Sequence, residues 1–174
     1  MKNRIFVLFI FLLLSACAST PKKPLSPAEQ QANLLSAISE GGVRRLEVGD
    51  ELRLILPNSH FFVKGTPRLK VSAYPTLSLL VTLLNQRKNV GIDVLTFTPT
   101  PDLQQETSDL AKQQALAIED YLLDQGLNTR IIVARAWNRK DLSDDERGVR
   151  FDGDQPQILS TEIRTRYLLP EDSQ

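Results

Sequence analysis

The sequence contains a single cysteine, Cys17, and a single histidine, His60. One cysteine cannot form a disulfide within the chain, and a lone histidine does not supply the ligand cluster that holds a zinc ion. No nucleophile motif accompanies the histidine, and no pair of residues forms an evident general acid and base. These absences predict a protein that is not an enzyme and that has no metal or other cofactor.

The chain also lacks an excess of charge, since 21 lysines and arginines balance 21 aspartates and glutamates. Proteins that bind nucleic acids usually carry a basic patch or stripe, and no basic cluster occurs here. We therefore expect no nucleic-acid partner. The charge run between Lys140 and Pro156 mixes both signs and contains glycines, which favours a long solvated loop.

Long apolar runs are missing except at the N-terminus, where the run from Ile5 to Leu14 follows a positively charged start. The run is shorter than the ~20 residues that cross a bilayer. It leads into Leu14-Ser15-Ala16-Cys17, and together these features resemble the signal peptide of bacterial lipoproteins. The resemblance implies that residues 1–16 are removed and that Cys17 carries a covalent diacylglycerol and palmitoyl lipid. The alternative is an ordinary signal peptide with a leftover cysteine.

The residue after the cysteine bears on the destination of such a lipoprotein. Aspartate at this position commonly signals retention at the inner membrane, whereas this chain has Ala18. The resemblance therefore implies an outer-membrane protein, anchored by its lipid on the periplasmic face. Two or three acyl chains suffice for stable anchoring, whereas a single chain binds only weakly.

Residues 17–42 are predicted to form the lipidated N-terminus, a proline-containing tether and a short helix. Ser26 and Glu29 match a capping box around the first turn of that helix, and Gly41-Gly42 is a typical helix end. A helix this short is stable only when its apolar stripe packs on another surface. That surface belongs either to its own domain or to a partner.

Hydrophobic periodicity predicts a single domain over residues 43–170. The segment Glu51–Leu56 alternates like a half-buried strand, and apolar residues recur at helical spacing between Leu77 and Leu84. The predicted order of elements is β-α-β-α-β-β. It indicates an α/β (α+β) fold, a two-layer sandwich with two helices on a mixed four-stranded sheet. We expect a loop after the first strand to leave Phe61 and Phe62 exposed or half-buried.

Several segments of the predicted domain resemble OmpA-like domains, a family that includes peptidoglycan-associated lipoproteins and flagellar-motor stators. The segment from Val48 to Pro57 is similar to the opening strand of the family, and Ala73-Tyr74-Pro75 is similar to the start of its first helix. The segment from Ile92 to Leu123 can be laid on the family without a gap. The resemblance implies the OmpA-like fold and a ligand pocket between the second strand and the second helix.

The pocket implied by the resemblance has lost its charged groups. Family members that bind peptidoglycan clamp diaminopimelate with an aspartate after the second strand and an arginine in the second helix. Pro99 and Gln114 stand at those two positions, although Asp102 is close enough in sequence to be an alternative acid. The degenerate pocket is thus assigned to Thr96, Phe97, Thr98, Pro99, Asp102, Thr107 and Gln114. Depending on strand register, Phe97 faces either the core or the pocket.

A lipoprotein of this size with an altered clamp is similar to the small OmpA-like lipoprotein subunit of Dot/Icm type IVB secretion systems. The resemblance implies a structural subunit of an envelope-spanning core complex, with other subunits of that complex as partners. The alternative is a peptidoglycan-binding lipoprotein that tethers the outer membrane to the cell wall. In that case Thr98, Asp102 and Gln114 would replace the clamp.

Overall fold

The computed structural model describes residues 25–97, 105–137 and 160–168. The chain divides into two compact units, residues 1–31 and residues 32–174, and the second contains the sheet and the core. The helices are α1 Pro27–Glu40, α2 Asn58–Phe61, α3 Tyr74–Asn85 and α4 Gln105–Asp124, and the strands are β1 Arg44–Val48, β2 Glu51–Pro57, β3 Val90–Phe97, β4 Ile131–Trp137 and β5 Ser160–Tyr167. None of the helices in these ranges is long and apolar enough to cross a membrane.

The five strands within these residues form one mixed sheet in the order β1-β2-β5-β3-β4. Strands β3 and β4 run parallel, while the other neighbours are antiparallel. The predicted α/β class and two-layer arrangement are confirmed, because α3 and α4 supply core residues that pack on one face of this sheet. The predicted number of four strands is wrong by one, since β1 adds a fifth strand.

Strand β1 was not predicted from the sequence, because its residues show almost no hydrophobic pattern. Its side chains are exposed except for the half-buried Leu46, so no apolar alternation marks the strand. Backbone pairing with β2 defines it instead, with Val48 opposite Glu51. The tight turn between them contains Gly49 at φ +59°, a left-handed conformation that glycine adopts at little cost.

The hydrophobic core lies between one face of the sheet and the helices. Leu52, Leu54 and Leu56 of β2 are almost fully buried, as the alternation of this strand predicts. The predicted inner face of α3 is also confirmed. The buried core residues of the two main helices are Leu77, Leu80, Val81, Leu83, Leu84, Ala111, Ala115, Ile118 and Leu122.

The expected exposure of Phe61 and Phe62 is wrong, since their relative exposures are 1% and 2%. The segment after β2 is not an open loop. It forms the short helix α2 and then folds back, so that Phe62 makes a bridge with Leu69 and the Lys70 amide donates to the Phe61 carbonyl at 2.8 Å. This return of the backbone places both aromatic rings in the core.

Helix α1 begins and ends as the sequence predicts. The Ser26 amide donates to Glu29 Oε2 at 2.7 Å, and the Glu29 amide donates to Ser26 Oγ at 3.3 Å, which together form the capping box. At the other end Gly42 adopts φ +83°. Within the second unit, Ile38 is buried in the core. This part of the helix therefore packs on its own domain, while the proposed limits at residues 42 and 43 stay predictions.

Candidate functional site

A network of buried polar side chains lies on the helix side of the sheet, where the resemblance implies a ligand pocket. It joins the end of β3, the start of β5, the first residue of α2 and the middle of α4. Each member is at least nine-tenths buried except Thr66, a half-buried residue in the turn after α2 that takes part through its main-chain carbonyl. We call this set the neutral network; its members are Asn58, Thr66, Thr96, Gln114 and Thr161.

Both the oxygen and the nitrogen of the Gln114 side-chain amide form hydrogen bonds within the protein. Its Oε1 accepts a hydrogen bond from Asn58 Nδ2 at 2.9 Å, and its Nε2 donates to the Thr66 carbonyl at 3.0 Å. Only 7% of the residue is exposed. The side chain that the resemblance assigns to the position of the family's arginine therefore ties α4 to the segment after β2.

The two threonines continue the network across the sheet. Thr161 Oγ1 donates to Asn58 Oδ1 at 3.0 Å, and the Thr96 and Thr161 hydroxyls lie 2.9 Å apart. Because a threonine hydroxyl has one proton, Thr96 must be the donor in the second bond. The hydrogen bonds thus run in one direction from Thr96 through Thr161 and Asn58 to Gln114, an arrangement in which neighbouring bonds strengthen each other.

The neutral network itself contains no ionisable group, and the stretch of sequence that holds Asn58 and Thr66 has no acid. Between Glu51 and Asp93 the chain has neither aspartate nor glutamate. Among the described residues, the only buried side-chain nitrogen or oxygen without a hydrogen-bond partner is Arg53 Nε, which belongs to the opposite face of the sheet. The network is thus satisfied by its own members and has no charge with which to hold a zwitterion.

The opposite face of the sheet carries a second buried cluster, and this one is charged. Arg53 of β2 lies directly opposite Arg164 of β5. Glu162 Oε1 accepts from Arg164 Nε at 2.7 Å and lies 3.8 Å from Arg53 Nε, while Glu51 Oε2 accepts from Arg53 Nη2 at 3.1 Å. We call these four residues the ion cluster. Its carboxylates offset the repulsion between two arginines that face each other.

The structure brings together only some of the residues that the sequence assigned to the pocket. Thr96 and Gln114 do belong to one buried network, although they meet only through Thr161 and Asn58. Thr107 lies inside α4, which begins at Gln105, and only its backbone is described. Cys17, Thr98, Pro99 and Asp102 lie outside the described residues, so their assigned roles stay predictions.

Phe97 occupies neither of the two positions considered from sequence. Side chains alternate along a strand, and Thr96 points toward the helices because it contacts Thr161. The half-buried Phe97, paired with Trp137 in the register of β3 and β4, therefore lies on the face of the sheet without α3 and α4. Its ring does not fill the space beside Gln114.

Sequence analysis missed Asn58, Thr66 and Thr161 as members of the site. Thr161 could have been found, because it precedes Ile163 by two residues and a polar side chain at a core-facing strand position calls for a partner. Asn58 follows the last residue of β2, where an asparagine is common for local reasons alone. Its hydrogen-bond partners, Gln114 and Thr161, are far away in the sequence, so no local sequence pattern identifies them.

The chemistry of the site is that of a closed structural contact. Amide and hydroxyl groups hold α4 to the sheet, and no acid, base or nucleophile lies among them. The described ranges 25–97, 105–137 and 160–168 contain no group of three or more histidine, cysteine or acidic side chains placed to hold a metal ion. The arrangement therefore suits packing and alignment.

Comparisons with known proteins agree on the fold. A family model described as the OmpA family matches residues 61–150, just over half of the chain. A MotB-like protein from Desulfovibrio vulgaris is 16% identical, with a TM-score of 0.60 over 82% of this chain and 90% of the other. The cell wall anchor of the T6SS from Pseudomonas aeruginosa is 14% identical, with a TM-score of 0.59 over 79% and 96%. The comparison with curated proteins finds no match.

Proposed function

Because the chain belongs to the OmpA family, we propose that it is an outer-membrane lipoprotein that serves as a structural subunit of an envelope-spanning complex. The lipid on Cys17 anchors the chain to the periplasmic face of the outer membrane. The OmpA-like domain then docks on other subunits instead of gripping the cell wall. It catalyses no reaction and carries no cofactor beyond its lipid.

The buried hydrogen bonds of the Gln114 side chain are the main support for this proposal. An arginine at this position could reach a carboxylate with a bidentate, charge-assisted pair of hydrogen bonds. Gln114 is neutral, buried and already bonded to Asn58 and Thr66. A ligand would have to break these bonds and would receive only neutral ones in return, so the site offers little free energy for binding.

The size of this deficit follows from general hydrogen-bond energetics. A neutral hydrogen bond contributes about 1 kcal/mol net, whereas one to a charged group contributes roughly 1.5–3 kcal/mol. Replacing an arginine fork by an amide that is already satisfied therefore removes most of the grip on a carboxylate. A family fold without its charged clamp is better suited to protein–protein docking.

Two measurements on the full chain test the proposal. Extracted in mild detergent, the protein should migrate as part of a large assembly, and its recovery as a free monomer would contradict this. Mixed with purified peptidoglycan, it should remain in the supernatant. Strong sedimentation that is lost in Gln114→Ala but kept in Gln113→Ala would overturn the proposal, because Gln113 is an exposed neighbour on the same helix.

We further propose that the complex is a secretion system of the type IVB class, similar to Dot/Icm systems. This assignment rests on the sequence resemblance: a lipoprotein signal, a short proline tether and one OmpA-like domain with an altered clamp. Such systems contain several lipoproteins in their outer-membrane core. An assembly purified through this chain should therefore contain further lipoproteins, and an assembly without any would contradict the assignment.

The lipid anchor makes a separate prediction. Cys17→Ser should release the chain into the soluble periplasmic fraction, because the N-terminal lipid is the proposed attachment to the membrane. Fractionation of cells that express this variant measures the effect. Continued membrane association of Cys17→Ser would show that protein contacts hold the chain there, and the role assigned to the lipid would be wrong.

A peptidoglycan-binding tether is the second candidate, and family membership favours it. One solved structure with the same fold is described as a cell wall anchor. In this alternative, Thr98 and Asp102 complete a different grip beside Gln114. Saturable binding of a diaminopimelate-containing peptide that is lost in Asp102→Asn would support the tether over the structural subunit.

A further inference from the structure

The turn that follows α2 displays two exposed basic side chains. The Val63 amide donates to the Arg68 carbonyl at 2.9 Å, and the Thr66 amide donates to the Val63 carbonyl at 3.0 Å, so residues 63–68 form a closed turn. Lys64 and Arg68 are exposed on this turn. Neither side chain forms an ion pair with a carboxylate of the described residues. Both positive charges therefore face water.

Two hydrogen bonds from outside the turn fix its position. Gln114 Nε2 of the neutral network donates to the Thr66 carbonyl at 3.0 Å, which ties the turn to α4. Lys70 Nζ donates to the Ser59 carbonyl at 2.6 Å, which ties the end of the segment back to α2. Because the backbone is already held in place, little conformational entropy is lost when the turn binds a partner.

Exposed apolar side chains follow the turn directly. Val71 is 82% exposed, the largest value of any large hydrophobic residue among those described, and its Cα is at most about 10 Å from that of Arg68. Tyr74 is 39% exposed, and its ring stacks on Tyr121 with the centroids 5.4 Å apart. We call the exposed side chains of this segment the basic-apolar surface; its members are Lys64, Arg68, Val71 and Tyr74.

The acidic side chains of the neighbouring helices point away from this surface. Helix α3 contains no charged residue. Glu40, at the end of α1, accepts a hydrogen bond from Ser36 Oγ at 3.1 Å. On α4, which contacts the turn through Gln114, the ionisable side chains within two turns of that residue lie about 120–160° further round the helix. They are Asp109, Lys112, Glu119 and Asp120.

We propose that the basic-apolar surface docks the domain on the phospholipid leaflet that holds the Cys17 lipid. Lys64 and Arg68 contact anionic headgroups, and Val71 enters the boundary between the headgroups and the acyl chains. Basic side chains beside aliphatic and aromatic ones are the composition that binds the interface of anionic membranes. This inference rests on the lipid anchor of the proposed function.

The length of the tether is the reason to choose a leaflet as the partner. Residues 18–24 span at most about 25 Å when fully extended, so the lipid keeps the domain at a high effective concentration beside the membrane. Each basic residue near an anionic surface strengthens binding about five-fold. Two such residues are too few to hold a chain without its lipid, and Cys17→Ser should still be released. Docking therefore orients a domain that is already anchored.

A dye at position 71 of the lipidated full chain tests the docking. In Val71→Cys the new thiol is the only free one, because Cys17 carries the lipid and the chain has no other cysteine. The variant is labelled with a fluorophore and inserted into vesicles of phosphatidylethanolamine and phosphatidylglycerol that contain a nitroxide-labelled lipid. The dye should lose most of its fluorescence to the nitroxide. In vesicles of phosphatidylcholine alone, which carry no net charge, it should keep most of it.

The matched control for the dye position is Val48→Cys, the same substitution at another exposed valine. Val48 is 43% exposed and pairs with the first residue of β2, whereas the basic-apolar surface follows the last residue of that strand. The dye at position 48 should therefore keep most of its fluorescence. Equal quenching at positions 48 and 71 would overturn the proposal, because it would show contact without a preferred face.

The matched control for charge removes two other exposed basic residues. Adding Lys64→Gln and Arg68→Gln to Val71→Cys should lower the ratio of docked to undocked domain at least ten-fold. Adding Lys88→Gln and Arg130→Gln instead should leave it unchanged, since both precede strands at the other end of the sheet. An unquenched dye at position 71 in a chain that floats with the vesicles would overturn the docking alone. A chain that does not float would contradict the lipid anchor itself.

Discussion

Two buried polar clusters lie on opposite faces of one sheet, and they differ in charge. The neutral network around Gln114 consists of amides and hydroxyls that bond to each other. The ion cluster around Glu162 consists of two arginines and two glutamates. The fold thus tolerates buried ions on the face opposite α3 and α4. It has none in the network where the family resemblance leads us to expect a charged clamp.

The two clusters show how neutral polar groups and ionised groups differ when they are buried in a protein interior. Neutral groups lose little when they are buried with partners, and they align the elements that they connect. Buried ions pay a large desolvation penalty and depend on every partner being present. The two clusters should therefore respond differently to the loss of one member.

Removal of the central carboxylate should damage the ion cluster most. Glu162→Ala leaves Glu51 as the one carboxylate of the cluster for Arg53 and Arg164 in a buried site, so we expect a loss of about 3–5 kcal/mol in the free energy of unfolding. Chemical denaturation measures this. Glu47→Ala is the control, because Glu47 forms exposed ion pairs with Arg45 and Arg87 and should cost under about 1 kcal/mol. Similar losses in both variants would erase the contrast.

Removal of one member of the neutral network should cost less. Asn58→Ala leaves Gln114 Oε1 and the Thr161 hydroxyl without their partner, for an expected loss of about 1–3 kcal/mol. A double-mutant cycle with Gln114→Ala should show coupling of roughly 0.5–3 kcal/mol. The exposed Gln113→Ala should show none with Asn58→Ala. Additive losses at residues 58 and 114 would mean that the two amides do not act together.

A carboxylate outside both clusters gives the smallest effect. Partial burial, and then repulsion from Asp120, raise the pKa of Glu119 above its ordinary value of 4.5. The stability contributed by the protonated form is present below that value and is lost as pH rises through the raised pKa. Glu119→Gln should therefore be slightly more stable than the wild type at neutral pH. The difference should vanish in acid, and a variant that is less stable at neutral pH would contradict it.

The parts of the fold that follow from local patterns were predictable. Capping residues predicted the start of α1, and alternation predicted the buried side of β2. Strand β1 was not predictable, because its stability comes from pairing with β2 and its side chains stay in water. The burial of Phe61 and Phe62 depends on backbone contacts with Leu69 and Lys70, where the chain folds back. Hydrophobic periodicity does not predict these contacts.

The candidate site was predictable in its residue types and not in its contacts. Sequence resemblance predicted that Gln114 replaces an arginine, and this already implied a neutral site. The bonds that close the site join residues far apart in the chain, such as Asn58 with Gln114 and Thr96 with Thr161. These contacts depend on the packing of the whole domain. For the same reason the face occupied by Phe97 became clear only with the register of β3.

We infer that the neutral network has replaced a ligand clamp. Calorimetry with a diaminopimelate-containing muropeptide, run beside an OmpA-family protein that keeps the aspartate and arginine, tests it most directly. We expect binding at least ten-fold weaker than that of the clamp-bearing relative, a difference of about 1.4 kcal/mol or more. Equal affinities would show instead that a charged grip survives beside Gln114.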